Sequence, residues 1–342
     1  MNTSASPLVS IVIVCWNSAK YLPRCLESIS KQTFRDFEVI LVDNGSTDEA
    51  TIGLENKYPE LSFRVERLTS HRGFAAANNV GAYLACSKWL ILLNTDAFPE
   101  PHWLDELLRA ADNNPKMGSF SSRQLQANNP KILDGTGDAY HVSGLAWRLG
   151  LGFPADEYGL ESSEIFSACA AAAMYLREAF LEVGGFDEDF FSYFEDVDLG
   201  FRLQLTGFQS MYVPSATVYH VGSATFGVRS DFAFYHSPRN LIWTYFKNMP
   251  TSMLWRYLPA HLMANFIYLI YYTLQGRGKI LWKAKWDAIR GLPEALKKRR
   301  AIQNTRRVSN ATLLKSMQRG LLQPYLLGYH LRRALKDASM DQ

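Results

Sequence analysis

Through residue 96 the chain alternates short β-branched, apolar runs with helix-forming stretches, and few folds accommodate that alternation. Residues 9–15, 37–42, 63–68 and 89–93 read as strands, and 21–31 and 73–86 as helices between them. Such a pattern predicts a parallel sheet covered by helices. Polar residues gather just beyond the strands, in Asp43-Asn44-Gly45-Ser46-Thr47-Asp48 and in Asn94-Thr95-Asp96. In open α/β sheets ligands bind beyond the carboxyl ends of the strands, so these two turns are the first candidates for a site.

Further along, a helix is expected over 103–111, a loop-rich region suited to acceptor binding over 113–164, and an alanine-rich strand over 167–177. A short helix, an acidic segment at 186–198, a helix to about 206 and a strand over 209–219 ending at His220 follow. Composition then changes, which divides the chain into a catalytic domain, 1–228, and a basic, aromatic-rich helical region, 229–342. The net charge of +3 conceals the change, because residues 276–342 hold 16 Lys and Arg against 4 Asp and Glu, leaving residues 1–275 at −9. A basic tail rich in Trp, Leu and Tyr fits an anionic membrane surface better than nucleic acid, for which the acidic body is unsuited. The Lys297-Lys298-Arg299-Arg300 cluster and Arg306-Arg307 carry this expectation; an ordinary helical extension packed on the catalytic domain is the alternative. The longest apolar stretch, 253–274, is interrupted by Arg256, Pro259, His261 and Asn265, so it reads as interfacial or buried, short of the roughly 20 clean residues a spanning helix needs. The start of the chain has no secretory pattern and the four cysteines are scattered, which suggests a cytoplasmic protein with reduced thiols.

Three motifs carry chemistry. Asp96, after a strand, can bind an oxygen-seeking divalent cation together with substrate phosphates, although an Asn-x-Asp turn alone is usually just solvated. The segment from Phe186 to Leu199 packs six carboxylates among five aromatic residues, and aromatic neighbours desolvate a carboxylate and raise its basicity, as a general base requires. Asp196 can also cap the helix that follows. His220 can complete a cation's coordination or hydrogen-bond a phosphate.

As an ordered set, Val9-Ser10-Ile11-Val12-Ile13-Val14-Cys15-Trp16-Asn17, Val42-Asp43-Asn44-Gly45-Ser46-Thr47-Asp48, Gly73-Phe74-Ala75-Ala76-Ala77-Asn78-Asn79, Leu92-Leu93-Asn94-Thr95-Asp96, Gly184-Gly185-Phe186-Asp187, Phe194-Glu195-Asp196-Val197-Asp198 and His220 resemble glycosyltransferase family 2. The resemblance covers about residues 8–225 and is strongest to rhamnosyltransferase-like members acting on lipid-linked or surface polysaccharides. It implies the GT-A fold, α/β with a Rossmann-like, mostly parallel central sheet flanked by helices, here with a C-terminal helical extension. It further implies an inverting transfer in which Asp196 is the catalytic base, Glu195 the second candidate, and Asp198 a helix-start or supporting residue. Trp16 would cover the nucleobase and Asp43 would accept from its ring, with Cys15, Asn17, Asn44, Gly73, Phe74, Asn78, Asn94 and Thr95 completing the donor site. Asp96, with His220 beside it, would hold Mg²⁺ or Mn²⁺ bridging the donor diphosphate.

The implied donor is a dTDP- or UDP-sugar, dTDP-L-rhamnose foremost, and the implied acceptor a glycan or polyprenyl-diphosphate-linked glycan at the cytoplasmic face of the inner membrane. Two departures stand out: the metal motif reads Asn-Thr-Asp, so Asp96 alone supplies charge, and His71 stands where relatives often carry Asn. A dinucleotide enzyme is set aside because no G-x-G-x-x-G follows the first strand. A non-catalytic relative that only holds nucleotide or glycan would have no need of the Glu195-Asp196 pair.

Overall fold

The computed structural model describes residues 6–222 and 230–320. The boundary expected between 228 and 229 lies outside the described residues, as does the tail beyond 320. In chain order the elements begin β1 (Val9–Cys15), α1 (Leu22–Ser30), β2 (Phe37–Asp43), α2 (Leu54–Lys57), β3 (Phe63–Arg67), α3 (Gly73–Leu84), β4 (Trp89–Asn94), β5 (Ala97–Pro99) and α4 (Trp103–Asn113). Next come β6 (Met117–Gln126), β7 (Asn129–Gly135), β8 (Asp138–Tyr140), β9 (Ala146–Arg148), β10 (Ser163–Ile165), β11 (Ala172–Leu176), α5 (Arg177–Glu182), α6 (Glu195–Thr206) and β12 (Gln209–His220). Four helices end the described chain: α7 (Asp231–Asn248), α8 (Thr251–Tyr272), α9 (Gly278–Asn304) and α10 (Asn310–Ser316).

The main sheet runs β10-β12-β6-β11-β4-β1-β2-β3, with β5 on β12 and β7 on β6. It is parallel across β4, β1, β2 and β3, while β11 runs antiparallel between β4 and β6. Strand β1 is buried on both faces, which explains its unbroken apolar run. Its register sets Cys15 beside Asp43 and Val14 beside Asn94, so the turns after β1, β2 and β4 leave the sheet along one edge. Helix α1 lays Leu22, Cys25, Leu26 and Ile29 on one face of the sheet. Helix α3 covers the opposite face and approaches so closely that a Cβ on Gly81 would come within 2.3 Å of Val12.

The 113–164 region is not the loop expected from its composition. It contains β6 to β9 and the start of β10. Polar residues conceal β6, and the fold gives two of them partners: Ser119 Oγ donates to Ser210 Oγ at 2.7 Å, and Trp103 Nε1 donates to Ser122 Oγ. The strand expected over 167–177 is shorter, because only Ala172–Leu176 joins the sheet. A third core binds the C-terminal helices to this body, with Tyr245, Met249, Leu254 and Leu313 packed on Tyr140, Phe166, Phe201 and Leu205.

Candidate active site

The turns after β1 and β2 fasten to each other. Asn17, at φ 48°, accepts from the Thr47 backbone through Oδ1 and donates its own N–H to Ser46 Oγ, while Ala19 N–H donates to Asp48. Asp43 accepts from Thr51 Oγ1 at 2.7 Å and Ser46 N–H at 2.8 Å; burial opposes its ionisation, but these bonds prevail and its pKa lies below the usual value. Asn44 donates to Gly73 O and accepts from Arg72 N–H, which draws in the turn before α3. Gly73, at φ 83°, has Phe191 so close that a Cβ would come within 2.6 Å of its ring. Trp16 stands beside His71, with ring centroids 4.4 Å apart, and His71 beside Phe191 at 5.3 Å. The rings thus line one wall of a cleft of about 580 Å³.

Asp96 and His220 meet at the floor of that cleft, brought there by the antiparallel pairing of β5 with β12. His220 Nδ1 lies 2.8 Å from Asp134 Oδ2, while its Nε2 has no hydrogen-bond partner and lies 3.4 Å from Asp96 Oδ1. A carboxylate behind one imidazole nitrogen, with the other aimed at a second carboxylate, suits a cation held jointly with substrate oxygens. Among the described residues no three His, Cys, Asp or Glu side chains converge to hold a metal, so a diphosphate would have to supply the remaining ligands. Burial depresses the His220 pKa, but the two carboxylates outweigh it and lift the group to about 9. As an imidazolium it could donate to a diphosphate oxygen instead.

Glu195 and Asp196 open α6 and face the same cleft. Burial raises the pKa of both. For Asp196 the Arg148 guanidinium and the backbone N–H groups of Val197 and Ala170 work against that rise. Glu195 Oε2 and Asp138 Oδ2 are buried without hydrogen-bond partners, and Asp138, desolvated and repelled by Asp196, is pushed up to about 7. Arg148 on β9 lies against Asp134 and Asp138, and its charge favours the ionised forms of Asp138, Glu195 and Asp196. The backbone leading into the pair is strained, with Phe191, Tyr193 and Phe194 at φ 64°, 68° and 69°. Helix α7 holds it there: the Asn240 amide lies 2.7 to 3.1 Å from the carbonyls of Phe190, Ser192 and Tyr193, and Arg239 donates to those of Asp189 and Phe190. Asp198 is fully buried among Arg202, Lys247 and Asn248.

Of the residues singled out from the sequence, Trp16, Asn44, Phe74, Asn94, Thr95, Asp96, Glu195, Asp196 and His220 line the cleft. Cys15, Asn17, Asp43, Gly73 and Asn78 are not among its lining residues; Asn17 and Asp43 shape the turns, and Asn78 bonds within α3, to Phe74 O. Asn79, not Asn78, crosses to the acidic segment, bonding both the N–H and the carbonyl of Phe186. Sequence reasoning missed Asp134, Asp138 and Arg148, which sit in the region read as loop, and Asn240 and Lys247 on α7. No local pattern marks any of them.

The model of "Glycosyl transferase family 2" matches residues 10–184, just over half of the chain. A curated relative, the N-acetylglucosaminyl-diphospho-decaprenol L-rhamnosyltransferase of Mycobacterium tuberculosis, is 32% identical over 242 residues, 62% of this chain and 76% of the relative. The structure of S. aureus TarS 1-349 in complex with UDP-GlcNAc superposes with a TM-score of 0.58 at 18% identity, covering 94% of this chain and 92% of that one. Mannosyltransferase PcManGT from Pyrobaculum calidifontis, in complex with GDP-Man and Mn²⁺, gives a TM-score of 0.55 at 18% identity over 92% and 86%. The fold is therefore of the GT-A type, and the chain belongs to glycosyl transferase family 2 as a nucleotide-sugar-dependent glycosyltransferase.

Proposed function

We propose that the chain transfers L-rhamnose from dTDP-L-rhamnose to a hydroxyl of a polyprenyl-diphosphate-linked glycan, with inversion, in the synthesis of a cell-surface polysaccharide. The observation that carries this reading is one cleft lined both by Asp96 with His220 and by Glu195 with Asp196, as an in-line displacement requires. The sugar and the lipid-linked acceptor are supported by the rhamnosyltransferase relative.

Trp16, with His71 against it, would cover the base, and Asp43 would fix the loop that meets it. Asp96 would hold Mg²⁺ or Mn²⁺, with His220 as a further ligand or a donor to the diphosphate; when bound, the cation supplies positive charge against the leaving diphosphate. Asp196 would take the proton from the acceptor hydroxyl as that oxygen attacks the anomeric carbon. Its burial makes it a better base, and the Arg148 guanidinium favours its ionised form. Glu195 is the second candidate for that role. The domain division proposed is a catalytic body to about 228 and a helical region beyond it, the whole working peripherally on the cytoplasmic face of a membrane.

The test is turnover with dTDP-rhamnose, UDP-GlcNAc and GDP-mannose on a lipid-diphosphate-linked N-acetylglucosamine acceptor. Rhamnosyl transfer alone supports the full reading. Transfer of another sugar overturns the donor, and binding of nucleotide without any transfer favours a non-catalytic relative.

A further inference from the structure

Helix α8 is apolar on both sides, with Met253, Leu254, Ala264 and Leu269 buried on the inner one. Its polar interior residues point into the protein: His261 Nδ1 bonds Ser143 O and its ring stacks on Tyr245 at 3.9 Å, and Asn265 accepts from Lys285. Its outer side carries Trp255, Pro259, Leu262, Met263, Phe266 and Ile270, at positions i, i+4, i+7, i+8, i+11 and i+15, all exposed. Arg256 is the single charged residue on α8. A helix covering a protein in water is polar on its outer side. The outward face continues on α9, where Trp282, Trp286 and Ile289 are exposed beside Lys279, Lys283 and Arg290. Arg290 lies over the Trp286 ring at 5.2 Å.

We infer that this face of α8 and α9 enters the outer part of an anionic bilayer, lying in its plane. Among the described residues no helix is long and apolar enough to cross a membrane, so the apolar side is one for partial immersion. Lipid is chosen over a second copy of the chain by charge. Symmetric pairing through this face would bring the row of Lys and Arg on α9 toward its own copy, whereas anionic headgroups neutralise it. Tryptophans flanked by basic residues suit the headgroup boundary.

The driving surface is therefore apolar, and it differs from the cluster that composition suggested. Lys298 is paired with Asp187 and Asp189, Arg299 with the carbonyls ending α7, and Arg307 with Glu182, which leaves little of that cluster for lipid. Helix α7 joins this face to the cleft, since Phe232 and Ser237 line the cleft while α9 packs on α7. An acceptor held in the bilayer by its lipid would then reach the site from the membrane side.

The inference deepens the proposed function but is tested without donor or acceptor, so either can fail alone. The full chain would be floated with vesicles of phosphatidylcholine, with and without phosphatidylglycerol, beside the Leu262→Glu/Phe266→Glu and Lys283→Glu/Arg290→Glu variants. Expected are binding to the anionic vesicles, quenching of tryptophan by brominated acyl chains, and a loss of about tenfold or more in affinity for the α8 variant even at high salt. The α9 variant should lose affinity only for the anionic vesicles. Melting temperature and nucleotide affinity, unchanged in both variants, exclude misfolding. Absence of vesicle binding, equal binding by the α8 variant, or a dimer in sedimentation velocity that this variant dissociates would each overturn the inference.

Discussion

The two walls of the cleft are held in different ways. On the donor wall, the turns after β1 and β2 and before α3 hold one another, through Asn17, Asp43, Asn44 and Asp48, all within 60 residues of sequence. On the acidic wall, the segment from Asp187 to Asp196 is strained and is held from outside, by Arg72, Ala75 and Asn79 around α3 and by the C-terminal helices. Asn240 and Arg239 grip its carbonyls, and Lys247 with Lys298 clamp Asp187, keeping its carboxyl well below the usual range although burial opposes this. The first arrangement forms with the sheet, whereas the second needs helices more than 40 residues downstream. The C-terminal region thus supports the segment that leads into Glu195 and Asp196.

The largest expected effect separates chemistry from binding. Asp196→Asn should lower kcat by about 10²- to 10⁴-fold, the range for removing a general base, with nucleotide affinity retained. If kcat falls little, Glu195 becomes the base. Asn240→Ala tests the outside support: three carbonyls lose a buried donor, so kcat should drop about tenfold to a hundredfold and the melting temperature with it, while the donor KM holds. A donor KM that rises in step with the loss of kcat would mean that the two walls are not independently held. On the donor wall, Asn17→Ala gives up the bonds to Thr47 and should raise the donor KM by roughly fivefold, with kcat nearly intact.

The smallest expected effects are shifts along the pH axis. As the proposed base Asp196 would have to be ionised, and its pKa is raised by burial, so kcat/KM should climb with pH through a limb above the ordinary carboxylate range. Arg148→Gln removes the cation that favours the ionised form and should move that limb to higher pH. A limb that stays in place in this variant would assign the titration to another group.

The parallel half of the sheet was legible because strand-length apolar runs and the turns after them are local patterns. Strand β6 was not, since its Ser, Gly and Gln content resembles loop until Ser210 and Trp103 provide partners. The candidate site was legible to the extent that its residues fall in motifs: nine of those singled out line the cleft. Asp134 and Asn240 were invisible for one reason, that each acts on a residue 86 or about 50 positions away and only the fold brings them together. For α8, His261 and Asn265 broke the apolar run in sequence, but in space they turn inward and leave the outer face unbroken.

The account rests on Asp96 and Asp196 performing separate tasks in one cleft. Calorimetric titration of the wild-type chain, Asp96→Ala and Asp196→Asn with dTDP and UDP, with and without Mn²⁺, tests this most directly. The expected result is Mn²⁺-dependent binding in the wild type and in Asp196→Asn and its loss in Asp96→Ala; binding that survives in Asp96→Ala, or that disappears in Asp196→Asn, would contradict it.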